Sequence, residues 1–258
     1  IDCHWLDHHC PNRPVRLQHR TGRLWIFNSA GLAILKDALH KKAISPPLSA
    51  ESFATGRFYD ADRALADLLG RHLPPVKQAS EQLASYGITG FADMTPSNSQ
   101  DTFALFQRLK SQDVILQDFV LARSSAIGTA ELAANISGPV KIHLHESRLP
   151  ALPKLVEGIY SSHKAGVAVA IHCVTEVELL FSLAALEEAG PIEGDRIEHA
   201  AVTPEHVLDQ MRRLGVTVIT QPHFILEKGD TYLRDIEAGD HDFLYRCRTF
   251  LNWNIPLA

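Results

Sequence analysis

From about residue 87 onward, short apolar runs alternate with amphipathic stretches at a regular interval. Residues 77–86 have helical spacing and end at Gly87, and the run Ile88-Thr89-Gly90-Phe91-Ala92-Asp93 then reads as a strand. A helix over 102–110 leads to a strand over 114–121, and Val140-Lys141-Ile142-His143-Leu144 is the next apolar run. A helix over 153–164, capped by Gly166, precedes a strand over 167–172. Thr175 and Glu178 have the spacing of a capping box. The helix they open places Val177, Leu180, Ala184 and Leu186 near one face and ends at Gly190. A strand over 196–200 is followed by Thr203-Pro204, an N-cap with proline at the first helical position, and Gly215 ends that helix. Strand 216–220 follows, and Ile255-Pro256-Leu257-Ala258 begins one more.

The pattern predicts seven strands, starting near 88, 114, 140, 167, 196, 216 and 255, in alternation with helices. Such alternation implies an α/β fold with a parallel sheet and right-handed crossovers. A closed (β/α)8 barrel of the TIM type needs eight strands. An open doubly wound sheet is the alternative, but no glycine-rich phosphate loop follows any strand. Residues 1–75 do not share the period. They hold a strand over 14–19, an apolar stretch over 24–27 and a Pro-, Ser- and Gly-rich loop over 45–60. We read 1–258 as one barrel domain, with 1–75 an insertion over the barrel mouth and 76–258 the regular βα units.

Composition narrows the class. The chain has 258 residues, 45% hydrophobic and 21% charged, which suits one large globular domain. A net charge of −5 argues against nucleic acid as a partner. No apolar run approaches the ~20 residues of a membrane helix. Four cysteines are too few for a disulfide scaffold, so a reducing cytoplasm is the default location. Homo-oligomerisation is left open. The chain begins with Ile rather than Met, and we expect a start that is processed or cut from a longer protein.

The candidate chemistry lies at strand ends. His172 and His199 each close an apolar run, 27 residues apart, about one βα unit. That brings two imidazoles to the carboxyl edge of adjacent parallel strands, where barrel active sites sit. Lys141 is expected to face the interior with His143 and His145, while Ile142 and Leu144 pack under helices. An inward lysine is costly unless its charge is removed or paired. Carboxylation would make it an anionic carbamate able to bridge two metal ions. A single strand-end histidine also suits a hydrogen-bonded core, but two beside an inward lysine favour a metal site. His143-x-His145 fits metal ligation or substrate contact, and Gln221 and His223 should reach the same mouth. Glu198 and Cys173 are expected to face the helices. Asp93 reads as a helix cap or a mouth salt bridge. Cys3-His4 and His8-His9-Cys10 match a zinc cluster in composition but not in spacing, and read as a frayed terminus. Asn135-Ile136-Ser137 fits a glycosylation sequon. A Schiff-base aldolase using Lys141 is a competing reading.

The pieces "VKIHLHES", "VAVAIHCVTEVEL", "GDRIEHAAVTPEH" and "LGVTVITQPHFI" resemble consecutive strand ends of the metal-dependent amidohydrolase superfamily, specifically amidohydrolase family 3. "GITGFADMT" is similar to that family's second barrel strand, and "RPVRLQHRTGRLWIFNSAGL" to its segment between strands one and two. The resemblance implies a distorted (β/α)8 barrel, usually with a β-sandwich built from both termini. It also implies a divalent metal, typically zinc, as one or two ions. Lys141 matches the family's strand-four ligand, His172 the strand-five ligand and His199 the strand-six ligand. The strand-one His-x-His pair and the strand-eight aspartate have no counterpart. The expectation is therefore an incomplete barrel, with strands two to eight present and strand one and the sandwich missing. The implied activity is hydrolysis of an amide, cyclic amide or related C–N or ester bond of a small-molecule substrate by a metal-activated water. This chain alone is expected to be inactive. A non-catalytic barrel fragment or degenerate paralogue is the alternative. Arg20 or Arg23, in the segment the family places over the site, would suit a substrate carboxylate.

Overall fold

The computed structural model describes residues 1–19, 22–42, 48–70, 74–124 and 138–258. They form two compact units, Ile1–Pro75 and Val76–Ala258. Among the described residues no helix is long and apolar enough to cross a membrane.

The first unit is built on a three-stranded antiparallel sheet, β1 (Arg16–Gln18), β2 (Leu24–Phe27) and β3 (Arg57–Tyr59), in that order. Its helices are α1 (Cys3–His9), α2 (Ser29–Lys42), α3 (Ala50–Thr55) and α4 (Asp62–Leu69). Phe27, Leu35, Phe58, Leu65 and Leu68 form its core. Buried Asn28 ties the unit together. Its Oδ1 accepts from Val15 N and Gly31 N, and its Nδ2 donates to the carbonyls of Cys10 and Arg13. Those bonds use the full capacity of the amide. Gly31 is required beside it, because a Cβ there would lie 2.9 Å from Val15 O. The N-terminal residues are not frayed: Asp2 caps α1 by accepting from Trp5 N at 2.8 Å.

The second unit is a parallel sheet under helices. Its helices are α5 (Val76–Ser85), α6 (Gln100–Ser111), α7 (Leu152–Lys164), α8 (Glu176–Ala189), α9 (Leu208–Leu214), α10 (His223–Asp235) and α11 (Cys247–Asn252). Strand β4 (Gly90–Asp93) pairs with β5 (Asp118–Leu121). After Ala122 the same segment continues as β6 (Arg123–Ser124) and changes partner to β7 (Val140–His143). Gly138 allows the close crossing there, since a Cβ would meet Leu121 O at 2.0 Å. The order then runs β7, β8 (Val169–Cys173), β9 (Arg196–His199) and β10 (Thr217–Ile219), all parallel. Val218 makes a further parallel bridge to Leu257, inside the run expected as the last strand. All seven expected runs thus take part in parallel pairing, with shorter bounds than the apolar runs. Among the described residues no pairing joins the two ends of this series into a ring.

The core lies between this sheet and α7, α8 and α9, around Ile159, Ile171, Leu179, Leu183, Ile197 and Met211. Two local expectations need correction. Val177 and Leu180 are exposed, and Leu179, Leu183 and Leu186 form the buried face of α8. The helix is apolar nearly all round, so periodicity alone could not choose its face. Thr203 does not cap a helix: its hydroxyl donates to Ala200 O, and a 3-10 turn, Glu205–Val207, precedes α9. Gly190 and Gly215 do end α8 and α9, with φ of 79° and 67°.

Candidate metal centre

The carboxyl ends of β7, β8 and β9 converge on one cavity of about 480 Å3. β7 turns Lys141 and His143 into it because Ile142 and Leu144 pack into the core on the other side. The register places His172 level with His143, and their ring centroids are 4.3 Å apart. His145 stands 4.7 Å from His143 and 6.3 Å from His172. The His199 ring meets the His172 ring edge-on at 4.7 Å. Cys173 faces the opposite way, its Sγ 3.2 Å from Ser182 Oγ on α8. The capping box of α8 is present, and Glu178 also accepts from the backbone N–H groups of Glu146 and Val174. That carboxylate joins the mouth segments after β7 and β8.

β9 departs from strand alternation at its end. His199 has φ of 75° and Ala200 φ of 44°, both left-handed. This turn lets Glu198 and His199 line the same cavity, so Glu198 does not face the helices. Arg196, also turned inward, places Nε 2.6 Å from Glu198 Oε1 without hydrogen-bond alignment, and its Nη2 lies 2.7 Å from Met94 Sδ. Arg196, Glu198 and Met94 are cavity residues that sequence reasoning missed. No residue type announces a left-handed histidine in advance.

Glu198 is taken up by Arg196, whereas Lys141 is only 6% exposed and has no hydrogen-bond or ion-pair partner among the described residues. Burial holds Lys141 below the usual lysine range; Glu198 opposes that shift and Arg196 adds to it. Burial pushes His172 down to about 3, helped by His143 and His199, so its imidazole is neutral. His143 is lowered by desolvation first and then by His145 and Lys141.

Among the described residues no three His, Cys, Asp or Glu side chains are arranged to hold a cation. The donor set is instead two imidazoles and a buried lysine with no hydrogen-bond or ion-pair partner among the described residues. Imidazole nitrogens are metal ligands, and a lysine carbamate would add anionic oxygens beside them. The residues therefore fit a divalent ion on condition that Lys141 is modified.

Of the remaining candidates, one shares the cavity. Gln221 lines the cavity and bonds to His199, with 2.5 Å between Oε1 and the ring Nδ1. His223 is exposed at the start of α10, against Phe224 at 4.5 Å, and does not line the cavity. Arg23 makes a two-contact ion pair with Asp60 inside the first unit. Asp93 accepts from Thr95 N and Asn98 Nδ2 in its own loop. Arg20 and the 135–137 sequon lie outside the described residues.

The fold is shared with two solved structures. An uncharacterised metal-dependent hydrolase from Pyrococcus furiosus is 20% identical, with a TM-score of 0.68 over 96% of this chain and 58% of its own. A second, from Pyrococcus horikoshii OT3, is 17% identical, with a TM-score of 0.69 over 96% of this chain and 56% of its own. At this identity the likeness is one of fold, and the chain spans a little over half the length of either structure. No curated protein matches the chain. The model of the amidohydrolase family matches residues 3–258, and the chain therefore belongs to the amidohydrolase family.

Proposed function

We propose that this chain carries the metal-binding strand ends of a metal-dependent hydrolase of the amidohydrolase type. Its α/β unit is read as strands two to eight of a distorted (β/α)8 barrel. Lys141, His172 and His199 are the proposed ligands, with Lys141 as its carbamate and zinc as the metal, in one or two ions. The observation that carries the reading is the buried, unpartnered Lys141 beside two close imidazoles, one held neutral by burial. A divalent cation there would polarise a carbonyl and supply a water activated near neutral pH.

The chain's own residues do the rest. Arg196 takes the charge of Glu198, which keeps that carboxylate from neutralising Lys141 and leaves the amine free to react with carbon dioxide. His143 and His145 stand beside the proposed ligands and would contact the substrate. The substrate class is a small molecule with an amide, cyclic amide, related C–N or ester bond. Two imidazoles and one carbamate make a sparse set, so the 258-residue chain alone is expected to turn over little.

The test is carbon-13 NMR of the chain with labelled bicarbonate and zinc. A carbamate resonance that is lost in Lys141→Ala supports the reading. No carbamate, together with a Lys141 adduct after borohydride treatment with a carbonyl substrate, would replace it with Schiff-base chemistry.

A further inference from the structure

Thr220 and Gln221, the two residues that follow β10, both bond to His199. Thr220 Oγ1 donates to the His199 carbonyl at 2.7 Å, and Gln221 Oε1 lies 2.5 Å from His199 Nδ1. The residue they hold has a left-handed backbone, φ 75°, in a side chain with a Cβ. Such a conformation persists where its surroundings over-determine it. Here one neighbour holds the carbonyl and the next holds the ring.

The Gln221 amide makes a second contact. Its Nε2 lies 3.5 Å from Ile219 O, so the amide nitrogen points to a carbonyl and its oxygen to the imidazole. An amide oxygen only accepts, so the contact requires a proton on His199 Nδ1. The proton is then absent from Nε2 in the neutral ring. Nε2 has no partner among the described residues, and the ring lines the cavity.

We infer that Gln221 is a positioning residue, which fixes His199 as the Nδ1–H tautomer and leaves Nε2 bare for a ligand in the cavity. Gln221 is thereby a support for His199 and not the substrate contact that its place at the mouth suggests. The tautomer assignment stands by itself; its use for metal binding rests on the metal-hydrolase reading above.

Long-range proton–nitrogen correlation spectra of the metal-free chain at pH 8, labelled with 15N-histidine, test it. His199 is assigned from the signal lost in His199→Gln. The wild type should show His199 with its proton on Nδ1. Gln221→Met, similar in volume but without the acceptor, should shift His199 toward Nε2–H, and Gln221→Glu should restore Nδ1–H. A wild-type His199 protonated on Nε2 or mixed between the two would overturn the inference, whether or not any variant folds. So would a Gln221→Met spectrum identical to wild type. In a calorimetric titration with zinc chloride, Gln221→Met should bind about 10–100-fold more weakly than wild type. Equal affinity would overturn the positioning role. If the wild type takes up no zinc, the metal reading fails, and the spectra still decide the tautomer.

Discussion

Cys173 shows how one position on a strand decides reactivity. It follows His172, faces α8, and is 1% exposed. Burial pushes its thiol up to about 12, so almost no thiolate exists near neutrality. At pH 8 the native chain should leave Cys173 unmodified by iodoacetamide while the partly exposed Cys10 and Cys247 react. Peptide mass spectrometry reads this, and comparable labelling at all three positions would contradict it. The pH dependence follows from the same shift. The thiol of an unfolded chain titrates near 9.0, so between there and about 12 the unfolded state gives up a proton that the folded state keeps. Stability should fall as pH rises through that window, and Cys173→Ala should flatten the fall in a series of thermal melts. The orientation of Cys173 was legible from alternation because β8 is regular to its end. The same rule failed at Glu198, one residue before a left-handed His199. Gln221 was legible as a mouth residue, but its bond to His199 depends on how two strand ends come together in space.

α8 carries the clearest energetic contrast among the elements. Leu183 is wholly buried, and Leu180, three residues earlier, is 39% exposed. Leu183→Ala should cost about 3 kcal/mol in urea unfolding, through lost transfer energy and a residual cavity. Leu180→Ala should cost less than about 1 kcal/mol. Equal costs would mean that the helix is rotated from the face described. Glu178 makes a second element-scale prediction. It is 2% exposed and accepts from Glu146 N, Val174 N and Thr175 N. Glu178→Ala should destabilise the chain by about 2–3 kcal/mol, because buried donors lose a charged acceptor. A loss near zero would mean that water replaces the carboxylate freely. The existence and type of the βα units were legible from the alternating runs, and the capping box from its spacing. The buried face of α8 was not, since a helix apolar on every side carries no directional signal. Helix α1 was missed for the opposite reason: only Leu6 of its seven residues is buried.

At the scale of the molecule, family membership rests on the match over 3–258, and the fold on its likeness to two longer hydrolases. The order of strand ends was legible because each ends in a short run with its own chemistry, and the structure brings the ends of β4, β7, β8, β9 and β10 to one cavity. Closure of the sheet was not legible, because hydrophobic periodicity marks strands but not which of them pair. The central claim is that Lys141, His172 and His199 together hold a metal ion. Calorimetric titration of the purified chain with zinc chloride in bicarbonate buffer tests it most directly, against a His172→Asn/His199→Asn double variant of the same chain. The account predicts saturable zinc uptake by the wild type and none by the variant. Equal uptake by both, or no uptake by either, would contradict it.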